Sequence, residues 1–251
     1  KPGNTVFEDP GLPDIATLNP GGLAVVWAEE NARDSIFSAM QRREVYATSG
    51  TRPELRFFGG WDYTSDTSET EKSSEASDVC ASGAVAATGY SRGVPMGGDL
   101  PARPAAAGPP QFLVAASRDP HANGGDLERI EVVKGWVEGG EAREQVLTGV
   151  GGDTEADVVL ATCEPWGEGH TSLCTVWTDP DFDASERAFY YARLRETPSC
   201  RWTQWACIDQ GITCDGSSPN REGYEYCCGD EIAQTIQERA WSSPIWYEPS
   251  R

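Results

Sequence analysis

Leu127-Glu-Arg-Ile-Glu-Val-Val-Lys-Gly-Trp-Val-Glu-Gly-Gly-Glu-Ala-Arg-Glu-Gln-Val-Leu147 reads as two strands joined by a tight turn. Gly139-Gly140 sits between the arms, where a two-residue hairpin turn needs backbone angles that glycine adopts freely. On the first arm Ile130 and Val132 alternate with Glu131 and Val133, which predicts one face turned inward and the other half exposed. The same pattern recurs on both sides. Ala84–Ala87, Phe112–Ala116, Arg143–Leu147, Val158–Ala161, Leu173–Trp177 and Ala188–Leu194 are short apolar runs separated by turn residues, and helical periodicity nearly vanishes beyond the acidic segment that ends near residue 79. Several short strands with Gly/Pro turns predict a β-sandwich-like domain over 80–199.

Upstream the character differs. Residues 1–20 carry prolines and glycines without apolar periodicity and read as an extended arm. Leu23–Ala28 has strand length. Asn31 is placed to cap a helix whose apolar stripe is Ile36, Phe37 and Met40, with Arg42-Arg43 at its C-terminal end to suit the helix dipole. Val45–Ala47 then reads as a strand, Ser49-Gly50 as a turn, and Glu54–Phe58 as a further strand ending at Gly59-Gly60. Thus 21–61 is a strand–helix–strand unit. Residues 62–79, rich in Ser, Thr, Asp and Glu, read as a solvated linker or loop.

The closing segment, 200–251, holds Cys200, Cys207, Cys214, Cys227 and Cys228 together with Trp202, Trp205, Trp241 and Trp246. Adding Cys80, Cys163 and Cys174 gives eight cysteines, an even number that suits disulfides and an oxidising compartment. Cys163 and Cys174 are close enough in sequence to form a local pair. Adjacent Cys227 and Cys228 are expected to take different partners, and the remaining connectivity is open. Zinc is disfavoured, because six residues separate Cys200 from Cys207 and Cys207 from Cys214. The segment is expected to be loop-rich and stapled onto the sandwich.

Net charge is −20, and Lys1, Lys72 and Lys134 are the only lysines. Such acidity argues against nucleic acid or an anionic membrane as partner. No apolar run approaches the ~20 residues of a membrane helix. The composition suits a secreted or periplasmic protein, and the start at Lys1 reads as a processed, truncated or partial chain.

Several residues invite chemistry. Thr48, Ser49 and Arg52, in Tyr46-Ala-Thr-Ser-Gly-Thr-Arg52, offer hydroxyl donors and a guanidinium to an anionic oxygen. Asp179, Asp181 and Asp183, with Glu186 nearby, alternate along one stretch as hard oxygen ligands for calcium, though without the glycine of an EF-hand loop. The alternative there is a solvated acidic turn. Trp202, Trp205, Trp241 and Trp246 read as core aromatics or as a sugar-stacking platform. His121 and His170 read as surface loop histidines. No His-x-His pair, Gly-x-Ser-x-Gly elbow or phosphate-binding glycine loop occurs.

Taken together, Gly21–Trp61, Gly93–Pro101, Leu127–Trp136, Leu160–Glu164, Asp179–Asp183, Phe189–Arg193 and Gln237–Tyr247 resemble a large "domain of unknown function" family of bacterial proteins. That family looks related to the PHP (polymerase and histidinol phosphatase) metal-dependent phosphoesterases. The resemblance implies that 21–61 is the last strand–helix–strand unit of a PHP-like (β/α) barrel, and that the rest is the family's C-terminal β-domain. It implies a divalent metal, held by His and Asp motifs that this chain lacks, and a partner in the form of an N-terminal fragment of the same protein. In such a barrel the C-terminal strand ends face the active site, which makes Glu29 and Glu30 candidates to orient substrate. The alternative for both is charge complementarity and capping at the helix N-terminus.

The reading is therefore an α+β, mostly β chain: a barrel remnant followed by a disulfide-bonded β-sandwich-like domain. The expected function is the C-terminal portion of a secreted hydrolase of phosphoesters or related esters. Glu29, Glu30, Thr48, Ser49 and Arg52 would position substrate. The alternatives are a non-catalytic module that binds ligands through its tryptophans and a structural or assembly protein, the latter expected as a homo-oligomer.

Overall fold

The computed structural model of the chain describes residues 15–19, 21–63, 75–121, 124–215 and 223–249. Most of the expected arm and of the acidic 62–79 segment lies outside them. In chain order the elements are β1 (Leu23–Val26), α1 (Arg33–Gln41), β2 (Val45–Thr48), β3 (Glu54–Gly60), α2 (Glu75–Ser82), α3 (Val85–Arg92), β4 (Gly93–Pro95), β5 (Gln111–Ser117) and β6 (Leu127–Glu138). They continue with β7 (Glu141–Gly151), β8 (Asp157–Val159), β9 (Glu164–Trp166), β10 (Ser172–Thr178), β11 (Ala188–Cys200), α4 (Trp202–Asp209), β12 (Thr235–Ser242) and β13 (Ile245–Tyr247).

Two antiparallel sheets face each other. One runs β1-β2-β12-β11-β6-β7, with β13 also paired to β11, and the other runs β10-β5-β3-β4. Gly139 and Gly140 both take positive φ (60° and 85°), and Glu138 pairs with Glu141, so the hairpin turn forms as its glycines predict. The interior between the sheets is apolar and aromatic. Phe57 stacks on Phe112 at 5.3 Å between ring centroids, and Phe112 lies 4.5 Å from Tyr190 of the opposite sheet. Ile130, Val132, Ala192 and Leu194 complete the facing surface.

The smaller sheet is buried on both sides. Phe57, Phe112, Val114, Leu173 and Trp177 face the central core, while Phe58, Leu113, Cys174 and Val176 pack with Val79 and Val85 of α2 and α3. The period of two along a strand makes this split, and the unbroken runs Phe57-Phe58 and Phe112-Leu113-Val114 are its sequence mark. Ala84–Ala87, expected as a strand, instead begins α3. Alanine favours helix, and Gly89 on that helix leaves room for Phe58: a Cβ there would lie 2.4 Å from the ring.

The strand–helix–strand segment forms, but not as a barrel unit. β1 pairs β2 antiparallel, from Leu23 opposite Thr48 to Val26 opposite Val45, whereas a (β/α) barrel needs parallel neighbours. β2 in turn pairs β12, and β3 crosses to the other sheet. Asn31 is not the cap of α1; Ala32 is, without a side-chain hydrogen bond. Arg43, at φ 61°, ends the helix and turns the chain back into β2. The stripe also faces outward: Phe37 and Met40 are exposed, and Ala39 is the helix's buried residue.

All eight cysteines are paired, as Cys80–Cys174, Cys163–Cys200, Cys207–Cys227 and Cys214–Cys228. Cys227 and Cys228 take different partners, as expected. The local pair Cys163–Cys174 does not form. Cys174 follows core-facing Leu173 and so points to the opposite face, toward α2, while Cys163 clusters with Val158 and Cys200. Four disulfides fit an oxidising compartment. Among the described residues no helix is long and apolar enough to cross a membrane.

Candidate functional site

A cleft of about 610 Å³ opens where the ends of several elements meet. Its walls come from the β2–β3 turn (Gly50, Thr51, Arg52), the β5–β6 loop (Arg118, Asp119, His121, Asp126), the β8–β9 hairpin and its flanks (Ala156, Val158, Trp166, Gly167), the end of β11 (Thr197–Cys200), α4 (Trp202, Trp205) and Glu238 of β12. The volume lies in the range of small-ligand sites.

The turn that carries Arg52 is held rigidly. Thr48 is buried and donates from its hydroxyl to the Thr51 carbonyl at 2.7 Å. Ser49 donates to the Glu238 carboxylate and accepts from the Arg239 amide at 2.8 Å. The Arg52 amide donates to Asp119 at 2.8 Å, and the other Asp119 oxygen accepts from the His121 amide at 2.9 Å. Buried Asp119 thereby fixes two wall segments to each other. Of the predicted anion-binding trio, Arg52 lines the cleft, whereas the Thr48 and Ser49 hydroxyls are spent holding its frame.

Under this turn lies Glu196, which sequence reading overlooked. It is 1% exposed, accepts from the Thr51 hydroxyl at 2.5 Å and from the Gly125 amide at 3.3 Å, and so sits directly beneath two lining residues. Burial pushes its carboxyl up to about 7, with a further push from the charges of Glu238 and Asp119; the bonds from Thr51 and Gly125 oppose the rise. Its only sequence signal was a glutamate at a core-facing step of an otherwise alternating strand.

The aromatic wall gathers residues distant in sequence. Trp202 and Trp205, three apart on α4, share a helix face. The Trp202 indole N–H donates to the Leu18 carbonyl at 2.8 Å, and Arg201 donates to the same carbonyl at 3.1 Å. Trp166 joins them because Cys163–Cys200 ties its hairpin to the strand end that precedes α4. Trp246 lies elsewhere, against Phe189 at 5.2 Å, and Trp241 sits on β12 opposite Ala47 and Arg193. The helix α4 itself is a departure from the loop-rich expectation for this segment.

Glu29 and Glu30 are exposed, away from this cleft. Glu29 lines a second hollow with Arg42, buried Glu44, Arg56 and Tyr90, where the Arg56 guanidinium lies 3.2 Å from the Trp27 ring centroid. His121 borders the main cleft, while His170 bridges Leu127 through backbone hydrogen bonds.

The three aspartates do not converge. Fully buried Asp179 pairs with the Lys134 ammonium at 2.8 Å and accepts from the Tyr190 hydroxyl at 2.7 Å. Asp181 accepts from Gln145 at 3.3 Å, and Asp183 accepts from both the amide and the hydroxyl of Ser185 at 2.7 Å. Their arrangement clasps a loop onto β6. Among the described residues no three His, Cys, Asp or Glu side chains are grouped as a metal site.

The fold and the cleft define a disulfide-stapled, two-sheet β protein with a tryptophan-walled, carboxylate-rich cleft at one end of its sheets. The chain belongs to the family described as "Protein of unknown function (DUF3604)", whose model matches residues 8–249. No curated protein and no solved structure matches the chain.

Proposed function

We propose that this chain is the substrate-recognising portion of a secreted or periplasmic hydrolase, and that the cleft walled by Trp166, Trp202 and Trp205 holds the substrate. One observation carries the reading. Arg52, Asp119, Trp166, Trp202 and Glu238, from five separate segments, line a single cleft whose frame is fixed by buried hydrogen bonds and a disulfide. The hydrolase half of the reading rests on the resemblance to PHP phosphoesterases. A divalent metal of that kind would activate water. In this reading the metal's ligand set lies on another part of the protein, and the part of the cleft residues is to bind and orient. Arg52 supplies donors, Asp119 and Glu238 supply acceptors, and the indoles supply apolar faces.

The test is a ligand and turnover screen on the whole chain. Tryptophan fluorescence follows binding of p-nitrophenyl esters, phosphates and glycosides, and nitrophenol release follows hydrolysis, with and without added Mn²⁺ or Zn²⁺. The expected result is saturable binding that Arg52→Ala and Trp205→Ala both weaken, with little turnover by this chain alone. Binding untouched by either substitution would remove the cleft from consideration. Rapid metal-dependent turnover by the isolated chain would place the metal ligands within it and overturn the division of labour. The non-catalytic binding module is the second reading. It is favoured by the same three indoles, and it predicts binding with no turnover even when the rest of the protein is present.

A further inference from the structure

We infer that the ligand of this cleft is a neutral saccharide and not a phosphoester; the inference rests on the cleft being the binding site. Charge decides against phosphate. Asp119, Asp126 and Glu238 line the cleft. Against them stand Arg52 and Arg118, and the Arg118 guanidinium is already bound to Asp126 at 2.6 Å. A dianionic phosphate entering here meets a surplus of carboxylates in a protein of net charge −20. Phosphate sites gather unpaired guanidinium groups, ammonium groups or backbone N–H groups.

The same groups suit a polyol. A sugar hydroxyl both donates and accepts, so it can use a carboxylate acceptor and a guanidinium donor side by side. A purely cationic ligand would find the acceptors but would be opposed by Arg52. The indoles supply what a sugar ring needs on its other surface. A pyranose presents a face of slightly positive C–H groups, which packs on the negative face of an aromatic ring. Trp166 and Trp205 are 52% and 46% exposed and line the same cleft, so their ring faces are open to a ligand there. Trp202 is pinned by its bond to the Leu18 carbonyl, and the Trp166 hairpin by Cys163–Cys200, so little ordering remains to be done on binding.

Isothermal titration of the chain with β-1,4-, β-1,3- and α-1,4-linked glucose hexasaccharides tests this, with inorganic phosphate, p-nitrophenyl phosphate and spermine as counter-probes. At least one hexasaccharide is expected to bind saturably, and Trp205→Ala and Trp166→Ala are each expected to weaken it about tenfold, the loss of one ring contact. Both indoles are half exposed, so the variants should keep the parent's far-ultraviolet circular dichroism and melting temperature, which confirms folding. Binding of phosphate, p-nitrophenyl phosphate or spermine that Trp205→Ala abolishes would overturn the saccharide assignment and leave the cleft standing. Saccharide binding indifferent to both substitutions would overturn the cleft itself. No binding by any hexasaccharide would overturn the assignment outright.

Discussion

The sandwich interior and the cleft rim are held together by different physics. Between the sheets, Phe57, Phe112, Tyr190 and the aliphatic residues of β6 and β11 remove large apolar areas from water, at about 25 cal/mol per Å². One buried charge pair, Lys134 with Asp179, is fully committed: Asp179 also accepts from Tyr190, and the Lys134 ammonium also donates to the Asp181 carbonyl at 2.7 Å. At the rim the chain is rich in glycine, carboxylates and half-exposed indoles, and little apolar area is available. Cys163–Cys200 and Cys207–Cys227 supply there the constraint that packing cannot. The contrast teaches that a surface kept open for a ligand needs its rigidity from covalent or hydrogen-bonded sources.

The largest effect should come from the interior. Lys134→Ala leaves Asp179 buried beside Tyr190 without its counter-charge, a loss on the order of 3–5 kcal/mol by urea denaturation. Cleft binding by whatever protein remains folded should be unchanged. A loss under 1 kcal/mol would show that water reaches the pair and would blur the distinction between the two regions.

Next comes the rim. Cys163→Ser with Cys200→Ser opens a crosslink spanning 37 residues and should cost about 2–4 kcal/mol. Unlike Lys134→Ala, it should also release the Trp166 hairpin, which appears as raised amide exchange over 156–169 and weaker ligand binding. Equal exchange in parent and variant would mean that the hairpin holds its place without the staple.

The smallest effect joins the regions through Glu196. Its carboxyl is raised to about 7, so the folded protein holds that proton more tightly than the unfolded chain does. The resulting stabilisation is fully present below the ordinary glutamate pKa and is lost as pH rises through about 7. Over that window the loss is on the order of 2–3 kcal/mol, and Glu196→Gln should flatten it in denaturation curves taken from pH 5 to 8. The Glu131 carboxyl supplies a control of opposite sign. Burial raises it, but hydrogen bonds from Arg129 and Arg193 outweigh burial and hold it low, so its contribution is lost only as pH falls toward the acid range. A pH dependence that survives Glu196→Gln would assign it to another group.

Glu131 also shows where reading by alternation stops. Its face of β6, expected half exposed, is buried, because Arg129 of the same strand and Arg193 and Arg195 of the neighbouring β11 cover Glu131 with ion pairs. A sequence pattern marks polarity, and a polar residue paired across strands is as well buried as an apolar one. The cleft was legible in fragments. Arg52, Trp202 and Trp205 stood out as residue types, Glu196 only as a glutamate at a core-facing step, while Trp166, Asp119 and Glu238 carried no local signal, since each matters through what lies beside it.

The amino-acid order by itself determined the strand-rich class, the Gly139-Gly140 hairpin, the oxidised cysteines and the separate partners of Cys227 and Cys228. These depend on local backbone preference, period-two burial and chain geometry over a few residues. Tertiary structure alone decided that β1 and β2 run antiparallel in the large sheet, that Cys174 reaches Cys80 under α2, and that six segments close on one cleft. Those outcomes depend on which distant strands pair. That choice is made by the summed burial of whole faces, which no single stretch of sequence contains.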